Sequence, residues 1–222
     1  MHDLYNFVIF PMASSGIVYW GLSFFWFILD VFVAPKWRVH GGEIIDWQLY
    51  QKTAKHVLKL HATTPIVLYT MIPLWKYRGV DLHWDNLFSY MTLLKFVICP
   101  ILAQIIFYIG HRISHFRIFY QTIHQKHHEW VVPCAVAASY SSFYEYFFCN
   151  LPVFLLPPLI VNLHWGATQF WFIIATFNVV NDHSGYILSK KSVYHAIHHK
   201  FHTRNYGFYE LDCFLRFLRR FQ

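Results

Sequence analysis

Nine histidines from residue 111 onward fall at spacings that could do metal chemistry. They are His111-Arg-Ile-Ser-His115, His124-Gln-Lys-His127-His128, His183 of His183-Ser-Gly-Tyr186, and His195-Ala-Ile-His198-His199. On a helix of 3.6 residues per turn, positions i, i+3 and i+4 share a face. Each H-x-x-H-H run is therefore expected to point three imidazoles in one direction, and His111 and His115 to do so as a pair. Imidazole suits iron, zinc, copper or nickel, and nine rings exceed what one tetrahedral ion can use, so the pattern predicts a two-metal site. A single histidine in an apolar protein is more often a hydrogen-bonded core residue. Nine of them in that role would bury many polar nitrogens with few carboxylates to satisfy them.

The elements that position these clusters are apolar. Of 222 residues, 56% are hydrophobic and 21% aromatic against 13% charged, a composition that favours a compact membrane bundle over a soluble domain. The net charge of +7 does not indicate nucleic acid, because the basic residues lie between apolar spans and form no continuous patch. Cys99, Cys134, Cys149 and Cys213 have neither C-x-x-C spacing nor a disulfide framework and are expected as free thiols in or near the membrane. There is no N-x-S/T acceptor, and the N-terminus lacks the basic region of a cleaved signal peptide, so the first apolar span is expected to stay in the protein.

Gly16 to Val33 reads as a first spanning helix, with Asp30 near its end and Pro35-Lys36-Trp37-Arg38 closing it. Gly41 to Leu60, with Ile45, Leu49, Ala54 and Leu58 at helical spacing, reads as an amphipathic helix on the membrane surface. His56 and His61 are read as interfacial or core histidines. Ala62 to Trp75 is a second, short apolar stretch, Lys76 to Asp85 a polar turn, and Met91 to Gly110 a third span running into His111. Lys95 is placed where its stem can snorkel, and Pro100 can bend the helix. Trp130 to Ser142 reads as a loop or interfacial segment. Tyr146 to Asn181 carries no Asp, Glu, Lys or Arg over 36 residues, which suits a helical hairpin broken at Pro157-Pro158 and Gly166. His183 then emerges on the side of His128. Five Lys or Arg between Lys36 and Lys59, three between His111 and Lys126 and seven between Lys190 and Arg220 flank the histidine side, against Lys76 and Arg78 on the other. The positive-inside rule makes the histidine side cytoplasmic.

A carboxylate-poor, imidazole-rich site at a membrane surface suits oxygen activation by iron, with a lipid reaching it through a groove between the spans. A zinc hydrolase is the rival, but His111-Arg-Ile-Ser-His115 lacks the Glu of H-E-x-x-H. A metal transporter would place its ligands within the spans, whereas these clusters begin where the apolar runs stop.

These clusters, together with Asp182-His183-Ser-Gly-Tyr186 and Asn205-Tyr206-Gly207, resemble the fatty acid hydroxylase/sterol desaturase superfamily over roughly Leu94 to Phe217. The Asp-His-Ser-Gly-Tyr segment is most similar to the branch of 4-methyl sterol oxidases and cholesterol 25-hydroxylases. The resemblance implies an all-α integral membrane protein of three to four spanning helices or hairpins, with a cytoplasmic histidine-rich cap holding a dimetal site. The whole chain, 1-222, would be a single domain, with spans and an interfacial helix in 1-90 and a catalytic core in 91-222. It implies an endoplasmic-reticulum lipid hydroxylase or desaturase using two Fe (Zn being possible in a purified sample), O2, and electrons from NAD(P)H through cytochrome b5. The substrate would be a sterol or a fatty acyl chain. The nine histidines match the family's ligands, and Glu145 resembles an acidic residue at the head of its second hairpin; an ordinary helix N-terminal carboxylate is the other reading. Ala196 stands where the family often has Asp, Leu211-Asp212 and Phe214-Leu-Arg replace its Trp-Asp and Phe-Gly-Thr, and His202 is an additional histidine. A non-catalytic metal-binding membrane protein of the same fold is the alternative.

Overall fold

The computed structural model describes residues 2–32, 38–39, 46–202, 206–207 and 212–213. These residues form seven helices: α1 (His2–Phe32), α2 (Trp47–Tyr77), α3 (Tyr90–Ser114), α4 (residues 117–124), α5 (Phe143–Ile160), α6 (Trp165–Asp182) and α7 (Lys190–Phe201). Helices α1, α2, α3 and α5 are long and apolar enough to cross a membrane. Among the described residues the only β-type pairing is an isolated bridge between Arg38 and Tyr186.

The spans alternate in direction and are pinned at both ends. At the end away from the histidines, Lys76 pairs with Asp3 (2.9 Å), the Trp165 indole donates to the Asn6 carbonyl (3.0 Å), and Lys95 reaches the Asn162 carbonyl (3.0 Å). At the histidine end, the Trp26 indole donates to Asn181 Oδ1 (2.8 Å), and buried Arg38 pairs with Asp30 while donating to the Pro133 carbonyl (3.0 Å). The core between them is apolar, centred on Leu68, Cys99, Ala103, Leu155 and Phe172.

Three sequence expectations change. The first helix begins at His2, because nothing charged interrupts Tyr5 to Leu29. The surface helix and the short second span are one continuous helix, α2. On its inner face polar residues find protein partners: Thr53 Oγ1 accepts from the Trp130 indole (2.8 Å) and His56 Nε2 donates to the Ser141 carbonyl (2.7 Å). Thr63 bonds back to the Leu60 carbonyl (2.6 Å), so its hydroxyl does not break the helix in the bilayer. In the α5–α6 hairpin the prolines lie inside α5 and the break falls at residues 161–164, where Asn162 has φ 48° and His164 caps α6 through the Gly166 N–H (3.0 Å). The hairpin still returns His183 to the side of His128. Lys36, Gly41 to Ile45, Asn205, Leu211 and Phe214 onward lie outside the described residues.

The segment from Trp130 to Ser142 is a buried loop. Val136 O accepts from the Tyr19 hydroxyl (3.0 Å), which in turn accepts from the Ser139 N–H (3.1 Å). Cys99 and Cys134 are buried, Cys149 half-buried and Cys213 exposed, all as free thiols. Gly185, in the Asp-His-Ser-Gly-Tyr segment, has φ +79°, and a Cβ there would stand 2.6 Å from Pro133 O and 2.8 Å from Arg38 Nη2. Gly79 has φ +64° with nothing within 4 Å. Gly185→Ala is therefore expected to lose well over the roughly 1–2 kcal/mol of the left-handed conformation alone. Gly79→Ala should lose only that much, a difference that thermal unfolding of the two variants in detergent measures.

Candidate metal centre

The site is assembled by four elements. The last turn of α3 carries His111, and His115 caps it. A π turn at Tyr120–His124 and a 3₁₀ turn at His127–Glu129 supply the second cluster. The residue capping α6 is His183, and α7, begun by a capping box at Ser189 and Ser192, carries the last three. All nine are brought together, in two groups whose nitrogens each lie within 4.8 Å of one another: His111, His115, His124, His128 and His198, and His127, His183, His195 and His199.

The grouping corrects the expectation that each triplet points one way. In both H-x-x-H-H runs, the residues at i and i+4 stay together and the residue at i+3 joins the other group. In α7 each residue turns the helix by about 100°, so i+4 returns within about 40° of i, whereas i+3 lies about 100° from i+4; His124 to His128 reach the same division across a π turn and a 3₁₀ turn. The motif thus serves both histidine groups from one short segment.

Backbone carbonyls set the ring orientations. Nδ1–H of His111 donates to Tyr206 O (2.9 Å), His127 to Tyr140 O (3.1 Å), His183 to Val179 O (2.8 Å) and His199 to Trp130 O (2.8 Å). A carbonyl can only accept, so each of these neutral rings is left with an Nε2 lone pair. His124 Nδ1 is held the same way by Glu145 Oε1 (2.8 Å). The Nε2 atoms face one another: His111 to His124 at 3.0 Å, His128 to His124 at 3.0 Å, His198 to His128 at 3.2 Å, His195 to His183 at 2.8 Å and His183 to His127 at 3.4 Å. Between His127 and His183 neither nitrogen has a proton to offer, so facing lone pairs repel unless a cation lies between them, and the same holds between His111 and His124 when Glu145 is ionised and accepts from His124 Nδ1. Nitrogens bound at about 2.0–2.1 Å to one ion stand roughly 2.9–3.4 Å apart, so the donor set fits a metal.

Burial, reinforced by the neighbouring imidazoles, keeps the rings neutral. It lowers His115 to about 2 and His124 to about 3. It lowers His127 to about 4, and His128, His195 and His199 well below their usual value. Neutral imidazole is the ligand form.

A cavity of about 310 Å³ runs from the histidines into the bundle. His111, His127 and His195 close one end, and Leu68, Phe154 and Trp171 wall the other. Glu145 lines it, is 3% exposed, and leaves Oε2 without a partner. Ala196 is fully buried, and Asp212 accepts from the Tyr194 hydroxyl (2.8 Å), Tyr194 also lining the cavity. His202 stands outside both groups, with Nδ1 3.2 Å from the Tyr120 hydroxyl. The carbonyls of Trp130, Tyr140 and Val179, which orient three rings, carry no side-chain signature and were not foreseeable from the sequence.

Residues 96–215, 120 of 222 positions, match the sequence model of the fatty acid hydroxylase family. The chain is 25% identical to fatty acid hydroxylase domain-containing protein 2 of Macaca fascicularis, covering 86% of this chain and 60% of that protein. It is 31% identical to fatty acid hydroxylase ahd1 of Mycosarcoma maydis (64% of this chain, 41% of that one). It is 26% identical to the C-4 methylsterol oxidase of Candida albicans (83% and 62%), a relative from the sterol oxidase branch. It spans less than two thirds of the length of each of these relatives. No solved structure matches. With the family's sequence model lying across more than half of it and all nine patterned histidines inside that stretch, the chain belongs to the fatty acid hydroxylase family.

Proposed function

We propose that this chain carries out O2-dependent oxidation of a lipid, hydroxylation or desaturation, at two irons held by the two histidine groups. The observation that carries this reading is the convergence of two sets of inward-facing imidazole lone pairs on the end of an apolar cavity between membrane spans. Bound iron would supply the capacity to activate O2 with external electrons, for which neutral imidazole is a suitable ligand. In a hydroxylation, one C–H bond becomes C–OH and O2 with two electrons and two protons also yields water.

The chain's own residues bind, orient and exclude. The carbonyls of Tyr206, Tyr140, Val179 and Trp130 hold protons at Nδ1 and leave Nε2 to the metal. Glu145 does the same at His124, as an orienting carboxylate of the kind that raises ligand basicity. The cavity walls of Phe154, Trp171 and Phe172 exclude water and hold hydrocarbon against the histidine end. A sterol methyl or side chain is our first choice of substrate and a fatty acyl chain the second, in line with the names of the C-4 methylsterol oxidase and fatty acid hydroxylase relatives. Electrons would come from NAD(P)H through cytochrome b5, at the endoplasmic reticulum. The basic residues flanking the clusters support a cytoplasmic histidine side. Residues 91-222 are read as the catalytic core of a single domain.

Purified in detergent, the chain is expected to hold close to two irons. With a reductant system and O2 it should convert a sterol or acyl lipid to a product that has gained oxygen or lost two hydrogens, and His127→Ala should not. One metal or none, with no product from any lipid, would leave a non-catalytic membrane protein. Glu145→Gln keeps the shape but weakens the anchor of His124; chelator competition should show metal affinity falling by about 10–100-fold.

Acid should loosen the site. The folded chain holds His127 at about 4, His124 at about 3 and His115 at about 2, against an unfolded value of 6.5. Above 6.5 both states carry neutral rings. As pH falls through 6.5 the unfolded chain takes up protons that the folded one refuses, so stability declines progressively on the acid side. Unfolding of metal-free protein across this range should give a melting temperature that is flat near neutrality and drops below about pH 6.5.

A further inference from the structure

Partway along the cavity wall lies a polar patch that the metal centre does not use. His61 on α2 lines the cavity, with its ring edge-on to Tyr19 (4.6 Å between centroids) and 6.1 Å from the ring of Tyr146. It makes no hydrogen bond to a described residue. Pro65, four residues on, has no N–H to close the helical bond to the His61 carbonyl. One turn along the same helix, Thr64 Oγ1 meets the Tyr146 hydroxyl at 2.7 Å, and both residues line the cavity. An imidazole with no protein hydrogen bond at membrane depth is costly, and because His61 lines the cavity, a polar group of the cavity's occupant is within its reach.

The chemistry of the wall narrows the occupant. Among the described lining residues are Glu145 and Asp182 but no Lys or Arg, so a carboxylate or phosphate head would meet no counter-charge. Neutral imidazole offers one donor and one acceptor, which suits a hydroxyl. Depth sets where that hydroxyl lies. His56, bonded to Ser141 O beside the Tyr140 carbonyl that holds His127, marks the floor of the histidine layer. His61 is five residues beyond, about 7.5 Å along the helix, and Leu68 about 10 Å further.

We propose that the cavity selects lipids bearing a free, uncharged hydroxyl within a few carbons of the carbon that is oxidised, and that His61, with Tyr146 beside it, binds that hydroxyl. His61 is thus a specificity residue, and the hydrocarbon body lies toward Leu68. This rests on the lipid-oxidation reading and adds the substrate class to it.

The test is equilibrium binding to the full chain in detergent, iron-loaded and without reductant, followed by turnover of the same samples with reductant and O2. Two hydroxyl probes are set against their deoxy partners, cholesterol against 5-cholestene and octadecanol against octadecane, so that the arms separate a ring skeleton from a chain. His61→Phe keeps a ring against Tyr19 and removes both nitrogens; His61→Gln returns a donor and an acceptor. At least one hydroxyl lipid should bind about tenfold more tightly than its deoxy partner. His61→Phe should bring that ratio close to one without changing deoxy binding or iron content, and His61→Gln should restore part of it. Equal binding of both partners by the unmodified chain, no binding of any probe, or an equal loss for both in His61→Phe would overturn the proposal. Selective, His61-dependent binding with no product would sink the oxidation reading and leave the hydroxyl subsite standing. Product from hydroxyl and deoxy lipids alike would do the reverse.

Discussion

Everything in this structure answers one electrostatic constraint: nine neutral imidazoles have been brought so close that their lone pairs oppose one another. Burial drives the protons off, because a charged ring away from water and beside other rings is unfavourable. A neutral ring still has one N–H, and where that proton sits determines whether the cluster is a metal cage or a hydrogen-bonded knot. The fold settles the question with carbonyls. Tyr206, Tyr140, Val179 and Trp130 each present an acceptor to an outward-facing Nδ1, so the proton is held on the periphery and the lone pair points inward. The carbonyls of Tyr206, Tyr140 and Trp130 lie outside the regular helices, and Val179, in the last turn of α6, accepts both the His183 ring and the His183 backbone N–H (3.3 Å). The irregular stretch around Trp130 to Ser142 is thereby as much a part of the centre as the helices that carry the histidines.

The same constraint explains the tight closure at the histidine end of the bundle. Arg38, bridging Asp30 and the Pro133 carbonyl, and Gly185, whose missing Cβ lets the chain pass against both Pro133 and Arg38, hold the buried loop onto the segment carrying His183. A methyl group at Gly185 would push apart the two strands of chain that set His127 and His183 facing each other at 3.4 Å. Glycine in the Asp-His-Ser-Gly-Tyr segment is thus a packing requirement of the second histidine group, transmitted through backbone.

Much of the site was legible in the sequence, because ligand chemistry needs particular side chains at particular spacings. All nine patterned histidines fall in the two candidate groups, with Glu145 bonded to His124, and the hairpin that returns His183 to the side of His128 follows from 36 residues without charge. The division of labour within His195 to His199 is contained in the 100° step between adjacent α-helical residues, whereas that within His124 to His128 depends on a π turn and a 3₁₀ turn that the spacing does not disclose. The carbonyl acceptors left no trace, since any residue type can supply one. Helix α2 reads as two pieces in the sequence for a related reason. Thr53 and His56 are polar, and in sequence polarity at a membrane suggests water; in the fold their partners are Trp130 and Ser141, more than 70 residues away. Amphipathicity records that a face is polar and is silent on what satisfies it.

That silence is most consequential inside the membrane, where water cannot serve as the default partner. Each polar group on a span must then be matched within the protein or by something the protein binds. Most of the polar groups in this bundle are matched internally. Lys95 reaches the Asn162 carbonyl, the Trp26 indole reaches Asn181, and Thr63 and Thr70 bond back to their own helix. Ser23 Oγ on α1 and Gln169 Oε1 on α6 are buried without a partner and lie off the cavity, whereas His61, on the helix that is matched at Thr53, His56 and Thr63, is an unmatched group that lines it. In a soluble protein an unpaired, half-buried imidazole would mean little, because solvent completes it. On a helix long and apolar enough to span a membrane, beside an apolar cavity that leads to histidines able to hold a metal, the missing partner becomes a statement about the ligand.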